Sequence, residues 1–197
     1  MTNLVRLKYN DLAPDIELLT PDSAKIKLAS LWAEHTLLLA FTRHFGCPQC
    51  KEMLDQLAHA RADLERAGLT LVAITQGTPE IAREFCERYA PGLICLADPA
   101  RVAYRAYGLE RGNWWQVIVS PQVIAGTLRA YRRGNRAELP PRDQDVRQMS
   151  GTFIIGRNGK IRLPYYYDTI ADHPPIELLL HGVLGTRWDK PFDGSLA

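Results

Sequence analysis

Cys47 and Cys50 are separated by Pro48 and Gln49. A thiol reacts as its thiolate, and a second thiol three residues away lies about one helical turn further on, close enough to close a disulfide. The pair follows directly on the apolar run at residues 36–42 and opens an amphipathic segment. A thiol at a helix N-terminus faces the positive end of the macrodipole and free backbone N–H groups, and both favour the thiolate. Cys47, nearer the loop, reads as the nucleophile and Cys50 as the resolving thiol. Arg43 and His44 precede the motif, and either could add positive potential.

The competing chemistry for a CxxC is half of a zinc site, which needs two further ligands. Cys86 and Cys95 form no second CxxC and pair with no spaced histidine, and His35, His59, His173 and His181 show no ligand spacing. Cys86 falls on the apolar side of a helix and Cys95 inside a strand, so each is expected to be a small buried core residue. No metal and no cofactor is expected.

The elements that must carry the thiols follow from periodicity. Residues 24–28 alternate as an edge strand, and residues 36–42 form a central strand covered on both faces. In a helix over 48–67, Met53, Leu54, Leu57, Ala60 and Leu64 recur every three or four residues and Gly68 gives the stop. Residues 69–75 form a second buried strand. Thr78 and Pro79 open a helix to Tyr89 as N-cap and first helical residue. A strand over 93–97 and a short helix to Gly108 complete an alternation that implies a parallel sheet with helices on both faces.

Residues 109–150 break the pattern and read as an insertion with a helical piece over 121–131. One of Trp114 and Trp115 is expected to pack onto the core. Strands over 152–155 and 160–163 are joined by Arg157-Asn158-Gly159, a hairpin signal that makes them antiparallel. Tyr165, Tyr166 and Tyr167 either wall a pocket or cover the sheet edge. A last helix runs from Pro174-Pro175 to about Leu184, with Asp172 as its expected cap.

The totals exclude several classes. With 46% hydrophobic and 23% charged residues the composition is that of a globular protein. A net charge of +2 is too balanced for a nucleic-acid surface. The longest apolar run, residues 37–41, is far below the roughly 18 residues of a membrane span. Residues 1–10 show no secretory signal, so a cytoplasmic location and no membrane partner are expected. In a reducing compartment a CxxC is catalytic, redox-sensing or metal-binding rather than a structural staple.

Several segments together resemble the peroxiredoxin (AhpC/TSA) superfamily. Residues 13–18 (Ala-Pro-Asp-Ile-Glu-Leu) look like its entry motif, and residues 39–43 with Gly46-Cys47-Pro48-Gln49-Cys50 like its active-site segment. Residues 71–75, 96–99 and 106–109 look like its following strands and loop. Residues 148–156, 159–161 and 172–174 resemble the peroxiredoxin-like branch that includes prostamide/prostaglandin F synthase. The resemblance spans residues 12–185. It implies an α/β thioredoxin-like, three-layer sandwich with a mixed central sheet, formed as one domain over 1–197. In two places the sequence departs from the superfamily pattern: His44 stands where a Thr or Ser is usual, and Ser150-Gly151 where an Arg is. Arg147 is the candidate replacement for that Arg.

The resemblance implies a thiol-dependent antioxidant oxidoreductase that reduces peroxide through Cys47; the spacing makes Cys50 the resolving thiol, and Arg43 and His44 are the candidate assisting residues. Its expected partners are a peroxide or disulfide substrate, a thioredoxin-type or low-molecular-weight thiol reductant, and a homodimer mate. The alternatives are a thioredoxin-like disulfide reductase and a non-catalytic redox sensor that keeps the CxxC without turnover.

Overall fold

The computed structural model describes residues 5–182 and 187–188. Seven strands form one sheet: β1 (Glu17–Leu19), β2 (Lys25–Lys27), β3 (Thr36–Phe41), β4 (Leu69–Thr75), β5 (Ile94–Ala97), β6 (Gly151–Ile155) and β7 (Ile161–Tyr166). Their order is β2-β1-β5-β4-β3-β6-β7. β3, β4 and β5 run parallel, as the strand–helix alternation requires, while β1 pairs with β5, β6 with β3, and β7 with β6 antiparallel. The mixed sheet expected from the resemblance is thus the sheet observed.

Strand β3 shows why the core has two halves. All six of its residues are buried, and alternation sends successive side chains to opposite faces. Leu38 and Ala40 join one cluster with Met53, Leu54, Leu57 and Phe85. Leu37, Leu39 and Phe41 join the other with Leu28, Trp32, Tyr104 and Phe153. The first face is covered by α2 (Pro48–His59), α3 (Arg61–Arg66) and α4 (Pro79–Tyr89), the second by α1 (Leu28–Trp32) and α5 (Val102–Ala106). Sheet and two helical layers make the three-layer thioredoxin-like arrangement. The hairpin between β6 and β7 turns through Gly159, whose φ of 73° is open to glycine without strain.

Several expectations need correction. The helix anticipated over 48–67 breaks at Ala60 into α2 and α3, because Ala60 leaves helical geometry with ψ near 2°. The 109–150 segment contains a π-helical turn (Trp115–Val119) that propensity does not signal, followed by α6 (Pro121–Arg132). Trp114 and Trp115 are both exposed, and the residue that seals the core there is Val117. Asp172 does not cap α7 (Ile176–His181). It accepts from the Tyr165 hydroxyl at 2.9 Å and the Asp168 N–H at 3.0 Å, while α7 starts after Pro175. The expected extension of that helix to Leu184 lies outside the described residues. The three tyrosines divide: Tyr167 is buried, whereas Tyr165 and Tyr166 lie partly exposed on β7 at the sheet edge.

The largest difference concerns Cys86 and Cys95. Both are buried as expected, but they are bonded to each other as a disulfide with Cα atoms 6.3 Å apart, tying α4 to β5. Helix and strand positions nine residues apart carry no spacing signal for that contact. Replacing both by alanine is expected to cost about 2–3 kcal/mol, the loop-closure entropy of a short cross-link, measured by urea unfolding. An unchanged unfolding midpoint under oxidising conditions would contradict a stabilising role for the bond.

Candidate functional site

The thiols stand where the central strand gives way to its helix. Beyond β3 the Thr42 N–H still reaches the Ile74 carbonyl at 2.9 Å. The buried Tyr104 hydroxyl pins the strand end, donating to the carbonyls of Thr42 and Ile74 at 2.8 and 3.0 Å. The chain then turns, with the Cys47 N–H donating to the His44 carbonyl at 3.0 Å, and Cys47 becomes the N-cap of α2 with Pro48 next. Proline fits there because its missing N–H has no helical partner to lose.

A second segment, residues 136–148, straps this turn from outside. The Glu138 N–H donates to the Gly46 carbonyl at 3.1 Å, and the Phe45 N–H to Gln144 Oε1 at 2.8 Å. A Cβ on Gly46 would lie 2.0 Å from the Glu138 carbonyl oxygen, so only glycine permits this approach. Gln76, at the end of β4, fixes the strap by accepting from the Asp145 N–H at 2.8 Å and donating to its carbonyl at 3.1 Å. Under the strap Cys47 is only 1% exposed and Cys50 4%.

Arg43 is the charged group inside. Its side chain is fully buried, and such a cation needs its donors satisfied. Nε donates to the Gln148 carbonyl at 3.1 Å and Nη2 to the Val146 carbonyl, both in the strap, which leaves Nη1 directed at Cys47 Sγ at 3.4 Å. The Arg43 backbone N–H donates to Cys50 Sγ at 3.3 Å. One residue therefore touches both sulfurs.

These contacts drive the two thiols apart. Burial pushes the Cys47 thiol up, but the hydrogen bond from Cys50 and the Arg43 guanidinium outweigh it and bring the thiol down to about 6. Burial pushes Cys50 well above the ordinary thiol range, and its hydrogen bond to Cys47 and the negative sulfur there push it further. The arrangement sets a thiol with a lowered value beside one with a raised value.

Among the residues singled out from sequence, Arg43, Cys47 and Cys50 are brought together. His44 adjoins the turn, but burial, then Arg43 and Lys51, lower its value to about 4, so it is neutral at pH 7 and adds no positive potential. Its Nδ1 is buried without a hydrogen-bond partner. Arg147 does not replace the missing arginine: its Nε donates to the Gly112 carbonyl at 2.8 Å and its guanidinium lies over Trp114. The sequence reading missed Gln49 and Thr127, which contact Cys47 directly and through one bond. Gln49 lies inside the motif and could have been found there. Thr127, 80 residues after Cys47 in sequence, had no local signal.

Comparison with known proteins bears on the family and the fold. A family model described as AhpC/TSA matches residues 9–163. The chain is 27% identical over 174 residues to peroxiredoxin-like 2C of Homo sapiens, covering 84% of this chain and 76% of that one. It is 29% identical over 180 residues to prostamide/prostaglandin F synthase of Danio rerio, covering 89% and 85%. Among solved structures, peroxidoxin BcpB from Mycobacterium tuberculosis superposes with a TM-score of 0.58 at 16% identity, covering 85% of this chain and 93% of that one. Reduced Prx3 from Vibrio vulnificus in complex with H2O2 gives 0.59 at 15% identity, covering 81% and 87%.

If Arg43 sets the ionisation of Cys47, alkylation of Cys47 in the reduced protein rises with pH to half its maximum near pH 6, where the thiolate replaces the thiol. In Arg43→Met the midpoint is expected to move up by about one unit or more, leaving roughly tenfold less thiolate at pH 5. His44→Gln is expected to leave it in place. Mass spectrometry of the labelled peptide reads all three, and an unmoved midpoint in Arg43→Met would remove the arginine from the account.

Proposed function

The chain belongs to the AhpC/TSA family, and on that footing we propose that it is a thiol-dependent peroxidase whose nucleophile is Cys47 and whose resolving thiol is Cys50. The observation that carries the reading is a pair of buried thiols at the N-terminus of α2, with the Arg43 guanidinium on Cys47 at 3.4 Å and only the Arg43 backbone N–H on Cys50 at 3.3 Å.

The Cys47 thiolate attacks one peroxide oxygen and the O–O bond breaks. The departing oxygen takes up a proton and leaves as water or an alcohol, and Cys47 becomes a sulfenic acid. The Cys50 sulfur then attacks the Cys47 sulfur. The Cys50 proton leaves with the sulfenic hydroxyl as water, and a Cys47–Cys50 disulfide remains. An external dithiol of the thioredoxin type, or two low-molecular-weight thiols, takes up the oxidation by exchange. Arg43 Nη1, already aimed at the reacting sulfur, is placed to hold the departing oxygen as its negative charge develops.

With Cys47 1% exposed beneath the strap, a peroxide of a few atoms fits the approach to the reduced thiol. The reading includes a cytoplasmic location, where Cys47 and Cys50 stay reduced between turnovers while the Cys86–Cys95 bond is sheltered by its burial. It also includes a homodimer, for which Ile124, Leu128 and Tyr131 offer an exposed apolar stripe on one face of α6.

The test is the rate of Cys47 oxidation by hydrogen peroxide at pH 7. The expected result is a rate far above that of a free thiol, ending in the Cys47–Cys50 disulfide. The Cys50→Ser variant should stop at a trappable sulfenic acid. A rate no faster than that of a free thiol, together with ready exchange with a small disulfide, would replace this reading with that of a disulfide reductase or sensor.

A further inference from the structure

One buried polar group in the site has no part in the scheme above. Gln49 is 2% exposed, and both ends of its carboxamide are engaged. The Cys47 thiol donates to Gln49 Oε1 at 3.4 Å, and Gln49 Nε2 donates to Thr127 Oγ1 at 2.6 Å. The Thr127 hydroxyl in turn donates to the Val123 carbonyl one turn back on α6, at 2.8 Å. This chain of bonds suits a protonated Cys47 and no other state. Once the sulfur is ionised it has no proton to give, and a carbonyl oxygen at 3.4 Å faces a negative charge.

We propose that Gln49 is a hydrogen-bond switch that turns its carboxamide over when Cys47 ionises, with Thr127 as the positioning residue that permits the turn. The proposal rests on the reading of Cys47 as the nucleophile. In the turned state Nε2 donates to the thiolate, and Oε1 accepts from the Thr127 hydroxyl, which has swung away from Val123. The proton lost by Cys47 leaves to solvent, and no covalent bond of Gln49 or Thr127 changes.

Two features carry this. The two ends of a carboxamide are nearly equal in size, so inversion needs no added space in a packed site. The group at its far end is a hydroxyl, which both donates and accepts; a backbone carbonyl there would lock Nε2 in place and leave the thiolate facing Oε1. The charged and titratable groups around the thiol do not occupy the amide. Arg43 and Cys50 bond to Cys47 itself. His44 is neutral at pH 7. On α2, Lys51 pairs with Glu138 of the strap at 2.8 Å, and Glu52 pairs with Arg129 and Arg133 at 2.9 and 3.2 Å. The last two pairs also fix α6 against α2, which keeps Thr127 in reach.

The test uses the reduced full chain with the amide nitrogens labelled. The Gln49 side-chain resonances are expected to move in step with the Cys47 titration. In Thr127→Val the amide loses its partner and this response, and Thr127→Ser restores it. Gln49→Met, which keeps the length and removes the donor, is expected to raise the Cys47 titration midpoint by about one unit, or roughly tenfold less thiolate below it. Gln49 resonances that stay flat across the titration of the unmutated chain would overturn the proposal, as would an unmoved midpoint in a folded Gln49→Met. None of these readouts uses peroxide, so a failed switch and a failed peroxidase reading give separate results.

Discussion

The site depends on one guanidinium held inside the protein. Arg43 lies two residues beyond the central strand, and a buried cation there is tolerable only if carbonyls and an anion meet it. The strap supplies two carbonyls, those of Val146 and Gln148, and the third nitrogen of the guanidinium meets Cys47. The strap is therefore part of the electrostatics of the thiol as well as its cover. It satisfies the arginine where β3 alone cannot, and its approach to Gly46 keeps the cysteine turn closed. A neutral side chain at position 43 would leave those carbonyls unpaired and the thiolate without its cation.

The arginine and the hydrogen bond between the two thiols act unequally on the pair. Its guanidinium reaches Cys47, whereas only its backbone N–H reaches Cys50. The macrodipole argument alone does not separate two thiols in the first turn of one helix. Separation comes from side-chain charge on one sulfur and from the mutual hydrogen bond, which helps the thiolate and holds the proton on its neighbour. Farther out, the Lys51–Glu138 and Glu52–Arg129 pairs bind strap and α6 to α2. Segments distant in sequence thereby meet at a single helix N-terminus.

Much of this was legible in the sequence. The continuous apolar run before Cys47, the amphipathic spacing after it and the Asn-Gly turn specify β3, α2 and the β6–β7 hairpin because each is a local signal. Contacts across the sheet left no such trace. The Cys86–Cys95 bond depends on the register of α4 against β5, so two cysteines read as separate core residues are one covalent link. Sequence alone set Arg43 and His44 side by side as sources of positive potential, but burial and the neighbouring cations lower His44 to about 4, which no local signal announces. Residues 109–150 were the least legible, since their π-helical turn and their long-range pairing with Gln76, Gln49 and Glu52 follow no short period.

The hydrogen bond from Cys50 and the buried Arg43 together lower the Cys47 thiol, while burial and the negative sulfur beside it hold Cys50 above the ordinary thiol range. The most direct measurement is a pH titration of the Cβ resonances of Cys47 and Cys50 in the reduced protein, each resolved by carbon NMR. Two well-separated steps are expected, Cys47 near pH 6 and Cys50 still protonated above the ordinary thiol range. Two thiols titrating together in that ordinary range would contradict this separation.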